Sequence, residues 1–377
     1  MGSSHSCSCP CKKDRSNLNL ENDYNGSLVK NKQNRRKFNP SIADIKLYKE
    51  NLYKIVKIQA LFRGLLTRKT HAELLSKRTL KTQRSTSRKV KLIDKFPVFS
   101  NANTEKSEQR FGKFDYTKAN VPNDLELIEK GPCELDNKAV YLGQWSKTGL
   151  REGKGVQVWT DCSKYEGYWH QDMANGYGRL IHSDGDVYEG YWVDDKADGY
   201  GTYIHVDGAE YKGNWKEDRQ HGKGEETWPD GAKYVGDYVY GKKHGKGKFH
   251  WSDGSEYEGE FINNEIEGYG FYKWDDGRSY EGRWKNNKMD GKGIFKWQDG
   301  RIYEGDYIED KKHGRGIFTW PDGRKYEGEW QLGKQYGKGI YTNSRGIAKE
   351  GKWKDGKRIC WIKDSNEKDD VCEDDVA

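Results

Sequence analysis

The chain is poor in aliphatic bulk: 33% of its 377 residues are hydrophobic, aromatics included, against 34% charged. That shortage excludes a single thick apolar core. No run of roughly 18 or more apolar residues occurs, and no secretory core is present. The sequence therefore predicts neither a membrane-spanning nor an exported protein. Cysteine supplies no framework. Its seven residues (7, 9, 11, 133, 162, 360 and 372) are odd in number and irregularly spaced, which points to free thiols in a reducing compartment. A convergent set of catalytic groups is also missing. His221, His244 and His313 recur at multiples of 23 residues in polar turns, and recurrence at that interval marks scaffold rather than site. The Gly-x-Gly pairs have no helix after them and cradle no phosphate. The expectation is no enzyme, no cofactor and no metal site.

What the chain has in excess is glycine, 45 residues, and rings: 14 Trp, 25 Tyr and 11 Phe. So many aromatics exclude a wholly solvated chain, and with so much glycine they suit a thin, repetitive β architecture. Charge is divided unevenly. Residues 1–100 hold 23 Lys/Arg against 7 Asp/Glu, while the remainder holds 44 against 53. The basic end is the part suited to an anionic surface. It lacks interleaved aromatics, and the aromatic region is acidic, so nucleic acid is not an expected partner.

Self-comparison gives the strongest signal. A Tyr-x-Gly-x-aromatic element begins at Tyr165, Tyr188, Tyr211, Tyr234, Tyr257, Tyr280, Tyr303 and Tyr326, at a constant interval of 23. It closes on Trp169, Trp192, Trp215, Trp284 and Trp330 among others. A second element, Gly-x-Gly-x-aromatic-x-Trp, supplies Trp251, Trp297 and Trp320. Both alternate with a period of two, the period of a strand. Rings and glycines then share one face, glycine leaving a slot for a neighbouring ring, while the Tyr-Glu-Gly glutamates form a solvated ladder on the other. Asp-Gly pairs at 184, 207, 230, 253, 276, 299 and 322 read as hairpin turns, and the connection from Trp330 to Gly337 reads as longer and polar.

The unit resembles the MORN repeat (membrane occupation and recognition nexus) over residues 141–353, in its spacing and its Tyr-Glu-Gly, Gly-Lys-Gly and Asp-Gly signatures. The resemblance implies an elongated single-layer antiparallel sheet of about ten hairpins, nine good and one degenerate, with atypical end units. A single layer needs cover. The aromatic stripe is either self-packed or open to a partner lying along the groove.

The first hundred residues carry different instructions. Met1-Gly2-Ser3-Ser4-His5-Ser6 matches an N-myristoylation pattern at Gly2. Cys7, Cys9 and Cys11 then offer palmitoylation sites beside Lys12, Lys13 and Arg15. One acyl chain binds membrane marginally, so a second signal matters. An unmodified tail is the rival reading. Helical apolar spacing runs from Ile42 to Arg78, and within it Ile58-Gln59-Ala60-Leu61-Phe62-Arg63-Gly64-Leu65-Leu66-Thr67-Arg68 resembles the IQ motif. That resemblance implies calmodulin or a related EF-hand protein as partner. Ile58 and Phe62 would act as anchors, Gln59 would bond the lobe's backbone, Gly64 would allow close approach, and Arg63 and Arg68 would meet an acidic rim. A basic amphipathic helix packed in the repeat groove or lying on a membrane is the alternative.

The expected organisation is a disordered, lipidated N-terminus (1–40), an amphipathic helix (41–80), a polar linker (81–132), the hairpin array (133–360) and an acidic tail (361–377). The functional expectation is a non-enzymatic scaffold, cytoplasmic and tethered to the anionic inner leaflet, that recruits a calmodulin-like protein and cytoskeletal or ciliary partners. Two alternatives stand beside it. One is a structural component of a cilium, axoneme or cell cortex. The other is a phosphoinositide-binding regulatory subunit using Lys242, Lys243, Lys311 and Lys312.

Overall fold

The computed structural model describes residues 90–118, 126–362 and 372–373. Two compact units divide at Gly241 and Lys242. Each is an antiparallel meander in which consecutive strands pair. The first runs from Lys91–Leu92 to Lys233–Val239, the second from Lys242–His250 to Cys372–Glu373. The expected helix over 41–80 lies outside the described residues.

Glycine explains the register. In every repeat two glycines face each other across neighbouring strands, as Gly167 faces Gly178 and Gly282 faces Gly293. A Cβ at Gly178 would overlap the Tyr165 ring, and one at Gly293 the Tyr280 ring. Each repeat tyrosine thus lies flat across its glycine pair and ends 0–2% exposed. Its hydroxyl donates back to a carbonyl three residues on, from Tyr165 to the Tyr168 oxygen at 3.0 Å and from Tyr280 to the Arg283 oxygen at 3.0 Å. The tryptophan two positions beyond the strand glycine stands edge-on to that ring, with centroids 5.0 Å apart for Tyr165 and Trp169. It meets the previous tyrosine the same way, at 5.4 Å between Trp192 and Tyr165. Its indole N–H donates to a glycine carbonyl, Trp192 to Gly178 at 3.1 Å. Buried rings in edge-to-face contact, with the repeat-tyrosine hydroxyls bonded to carbonyls, make a one-layer array self-sealing on its inner face.

The two turn types differ. At the Asp-Gly turns the glycine takes positive φ, +87° at Gly323. Opposite them, the connections read as longer and polar are tight two-residue turns. Both central residues take positive φ, as at Asp194 (48°) and Asp195 (64°) or Asn286 (49°) and Asn287 (63°), the geometry that matches strand twist. The strands simply run further than the aromatic pattern indicates. These turns also join hairpin to hairpin. Asp195 Oδ1 accepts from the Ala174 amide at 2.7 Å and Asn287 Oδ1 from the Ile266 amide at 2.7 Å, while the Asp195 and Asn287 amides donate back at 3.0 Å. Each repeat is thereby clipped to the one before it.

The stretch 81–132, expected to be a polar linker, has secondary structure among its described residues. It carries the helix Ala102–Phe111, the short strand Lys91–Leu92 and part of the strand Ile128–Glu134. Asn101 caps the helix: its side chain accepts from the amides of Asn103 and Thr104, while Thr104 accepts from the Asn101 amide.

Candidate docking faces

Each unit presents two faces. On the inner face of the second unit a second row of rings follows the Asp-Gly turns: Phe249, Trp251, Tyr272, Trp274, Phe295, Trp297, Phe318 and Trp320. Neighbouring centroids in this row lie 4.4–5.5 Å apart. Arg278, Arg301 and Arg324 each sit over the tryptophan four residues back, at 5.3–5.5 Å, and pair with the turn aspartate two residues back. Trp-x-Asp-Gly-Arg is therefore a clamp that holds its own ring. Lys312 Nζ lies 4.7–5.3 Å from the centroids of Trp297, Tyr303, Phe318 and Trp330. That lysine enters the aromatic row, whereas Lys242 and Lys311 are exposed.

In the first unit the tryptophan position becomes His182 and His205. His182 Nδ1 lies 2.6 Å from Asp184 and His205 Nδ1 2.8 Å from Asp207. Asp186 is buried between the two repeats, accepting from the Tyr203 hydroxyl and from the Val206 amide at 2.8 Å. Burial opposes charging of His182, but Asp184, with Asp186 and Asp161 further off, outweighs it and lifts the imidazole above its ordinary range.

The outer faces differ more. In the first unit residues 101–118 form a strap. Asn101 donates to the Ser183 carbonyl at 2.8 Å and Ser107 to the Gly185 carbonyl at 2.7 Å. Arg179 donates to the Gly112 carbonyl at 2.8 Å, Phe114 stacks on Tyr177, and Tyr116 meets Tyr168 edge-on. The outward apolar side chains Val158, Ile181 and Val187 are 1–3% exposed there. The glutamate ladder is also engaged. Glu166 pairs with Lys164, and Glu189 accepts from Lys118, Arg179 and Tyr177. In the second unit the matching Glu258, Glu281, Glu304, Glu327 and Glu350 are solvent-exposed, in line with the solvated ladder expected from sequence. Phe271 and Ile340, beside them, are 41% and 43% exposed.

Within each unit the named inner-face residues share a face, and most are buried; Trp297 and Trp320 are half-buried. The lipidation candidates Gly2, Cys7, Cys9 and Cys11 lie outside the described residues, as do Ile58, Gln59, Phe62, Arg63, Gly64 and Arg68 of the IQ-like segment. Cys133 and Cys162 are free thiols, but Cys360 is disulfide-bonded, against the expectation of free thiols throughout. Among the described residues no group of His, Cys, Asp or Glu is placed to hold a metal, and no helix is long and apolar enough to cross a membrane. The strap was missed because it is polar; the one sequence signal for it is the Asn101-x-x-Thr104 cap.

A family model described as MORN repeat matches nine stretches between residues 141 and 346, together more than half of the chain. Nine units match, not ten. The hairpin of Ala348–Lys354 and Lys357–Ile362 has the same form but lies beyond the last match. No curated protein matches the sequence. Among solved structures the chain is similar to the G-box domain of the microcephaly protein CPAP, at 13% identity over 54% of this chain and 100% of that one, TM-score 0.26. It is similar also to the TCP10 domain of CPAP from Danio rerio, at 13% identity, 63% and 99% coverage and TM-score 0.21. A third is the SAS-4 TCP domain of Drosophila melanogaster, solved with a proline-rich motif of Ana2, at 11% identity, 56% and 95% coverage and TM-score 0.21. TM-scores this low establish no shared architecture.

Proposed function

The chain belongs to the MORN-repeat family, and from that premise we propose that it is a non-enzymatic scaffold held at a membrane by its N-terminus. In this reading acylation at Gly2, with Cys7, Cys9 or Cys11, supplies the tether. The segment Ile58–Arg68 recruits calmodulin or a related EF-hand protein, with Ile58, Gln59, Phe62, Arg63, Gly64 and Arg68 in contact. The array presents partners on its outer side. One observation favours the outer side: the repeat tyrosines are 0–2% exposed, packed against the chain's own tryptophans and glycines, so the inner stripe is occupied by its own rings.

Two substitutions test the parts separately. Gly2→Ala should move the protein from the membrane to the soluble fraction of a cell lysate, and an unchanged distribution contradicts the tether. Replacing Ile58 and Gln59 by Ala should abolish calmodulin capture with or without calcium. Retained capture places that site elsewhere. An EF-hand partner resident in a cilium or cell cortex would satisfy the same recruiting segment.

A further inference from the structure

Positive charge in the second unit collects at its end. Residues 242–333 balance 17 basic against 18 acidic side chains, whereas 334–362 carry eight basic against two acidic, Glu350 and Asp355. Lys334, Lys338, Arg345, Lys349, Lys354, Lys357 and Arg358 are exposed. The Arg358 guanidinium lies 4.2 Å from the Trp361 ring centroid and Lys349 Nζ lies 5.6 Å from it. The strand Lys357–Ile362 is also the last long strand of the meander, where an uncovered edge invites pairing. The segment after that strand is opposite in sign: residues 363–377 hold seven acidic side chains against two basic. The strand Cys372–Glu373 pairs antiparallel with Lys357–Ile362, placing Cys372 opposite Ile362 and Glu373 opposite Trp361.

We infer that the acidic segment 363–377 is the resident occupant of the basic terminal hairpin, closing the sheet edge and neutralising the Lys/Arg surface around Trp361. Backbone pairing sets where the segment lies, and charge complementarity keeps a strand of only two residues in place. Such a contact is screened by salt and opens when its charge is removed. The occupied edge is then unavailable to a second copy, and an acidic partner reaches the terminal hairpin only by displacing the tail.

The test uses the full chain under reducing conditions, so that the disulfide at Cys360 holds nothing covalently. Hydrogen exchange is read at residues 357–362 in about 50 mM and about 500 mM NaCl. Two proteins are compared: the wild type, and a variant carrying D364N, E367Q, D369N, D370N, E373Q, D374N and D375N. The expected result is slow exchange at Trp361 and Ile362 in the wild type at low salt. Exchange about tenfold faster is expected in the variant and at high salt, with the strand Ser279–Lys285 unmoved as a folding control. A second variant, with Lys349, Lys354 and Lys357 changed to Glu, should lose the same protection. Changing Asp370, Asp374 and Asp375 to Lys in that background should restore it. Equal exchange in wild type and amide variant overturns the inference. Protection that survives neutralisation and grows with protein concentration also overturns it, because a second copy then fills the edge.

Discussion

The two units use one 23-residue repeat in different ways. In the second, the Asp-Gly edge of the inner face is an unbroken row of rings clamped by Arg278, Arg301 and Arg324, and among the described residues no segment covers the outer face. In the first, His182 and His205 interrupt the ring row, and the chain's own residues 101–118 cover the outer face of the early repeats. The turn holding His182 and Asp184 is also the turn that receives Asn101 and Ser107, through the Ser183 and Gly185 carbonyls. Where aromatic stacking lapses, a strap takes over part of the burial. A one-layer sheet gains stability from either source, but only the ring row leaves an outer face free.

The largest expected effect should not distinguish the units. Tyr188→Ala in the first and Tyr280→Ala in the second should each cost about 3–5 kcal/mol, because both rings are buried over glycine pairs. Chemical denaturation followed by Trp fluorescence measures it, and a cost confined to one unit would break the shared-core half of the comparison. Gly178→Ala and Gly293→Ala should follow at about 1–3 kcal/mol, since each new methyl meets a tyrosine ring. Ser107→Ala should cost about 1 kcal/mol and show in hydrogen exchange over 102–111 and 178–187, leaving the second unit unchanged.

The smallest effect concerns pH. The His182 pKa is raised above 6.5 in the folded chain, so its contribution is fully present below the unfolded pKa and is lost as pH rises through the folded one. Exchange protection around the 182–186 turn should therefore decline from acidic to alkaline pH once intrinsic rates are removed. The decline should vanish in His182→Gln and be absent at the Trp274 turn.

Much of this was legible in the sequence. Tyr-x-Gly-x-Trp at a constant interval fixes strand, face and slot together, since only glycine lets a tyrosine lie across the neighbouring strand. Asp-Gly identifies one turn edge. The other edge reads in the sequence as a longer polar connection from Trp330 to Gly337, and positive φ at Leu332 and Gly333 shows a two-residue turn between Gln331 and Lys334 instead. The strap was hidden for a different reason. Its attachment consists of side-chain bonds to backbone carbonyls and two rings, Phe114 and Tyr116, with no apolar period to announce it. The double role of the His182 turn depends on contacts about eighty residues apart in sequence, which local pattern does not carry.

Two natural tyrosines at the same repeat position test the contrast most directly. Tyr177 lies under Phe114 in the first unit, and Tyr269 is 54% exposed in the second. Hydroxyl-radical footprinting of the intact chain should oxidise Tyr269 several times faster than Tyr177, and Phe114→Ala should bring Tyr177 up towards the Tyr269 rate. Equal oxidation of the two tyrosines in the wild-type chain would contradict a covered outer face in one unit and an open one in the other.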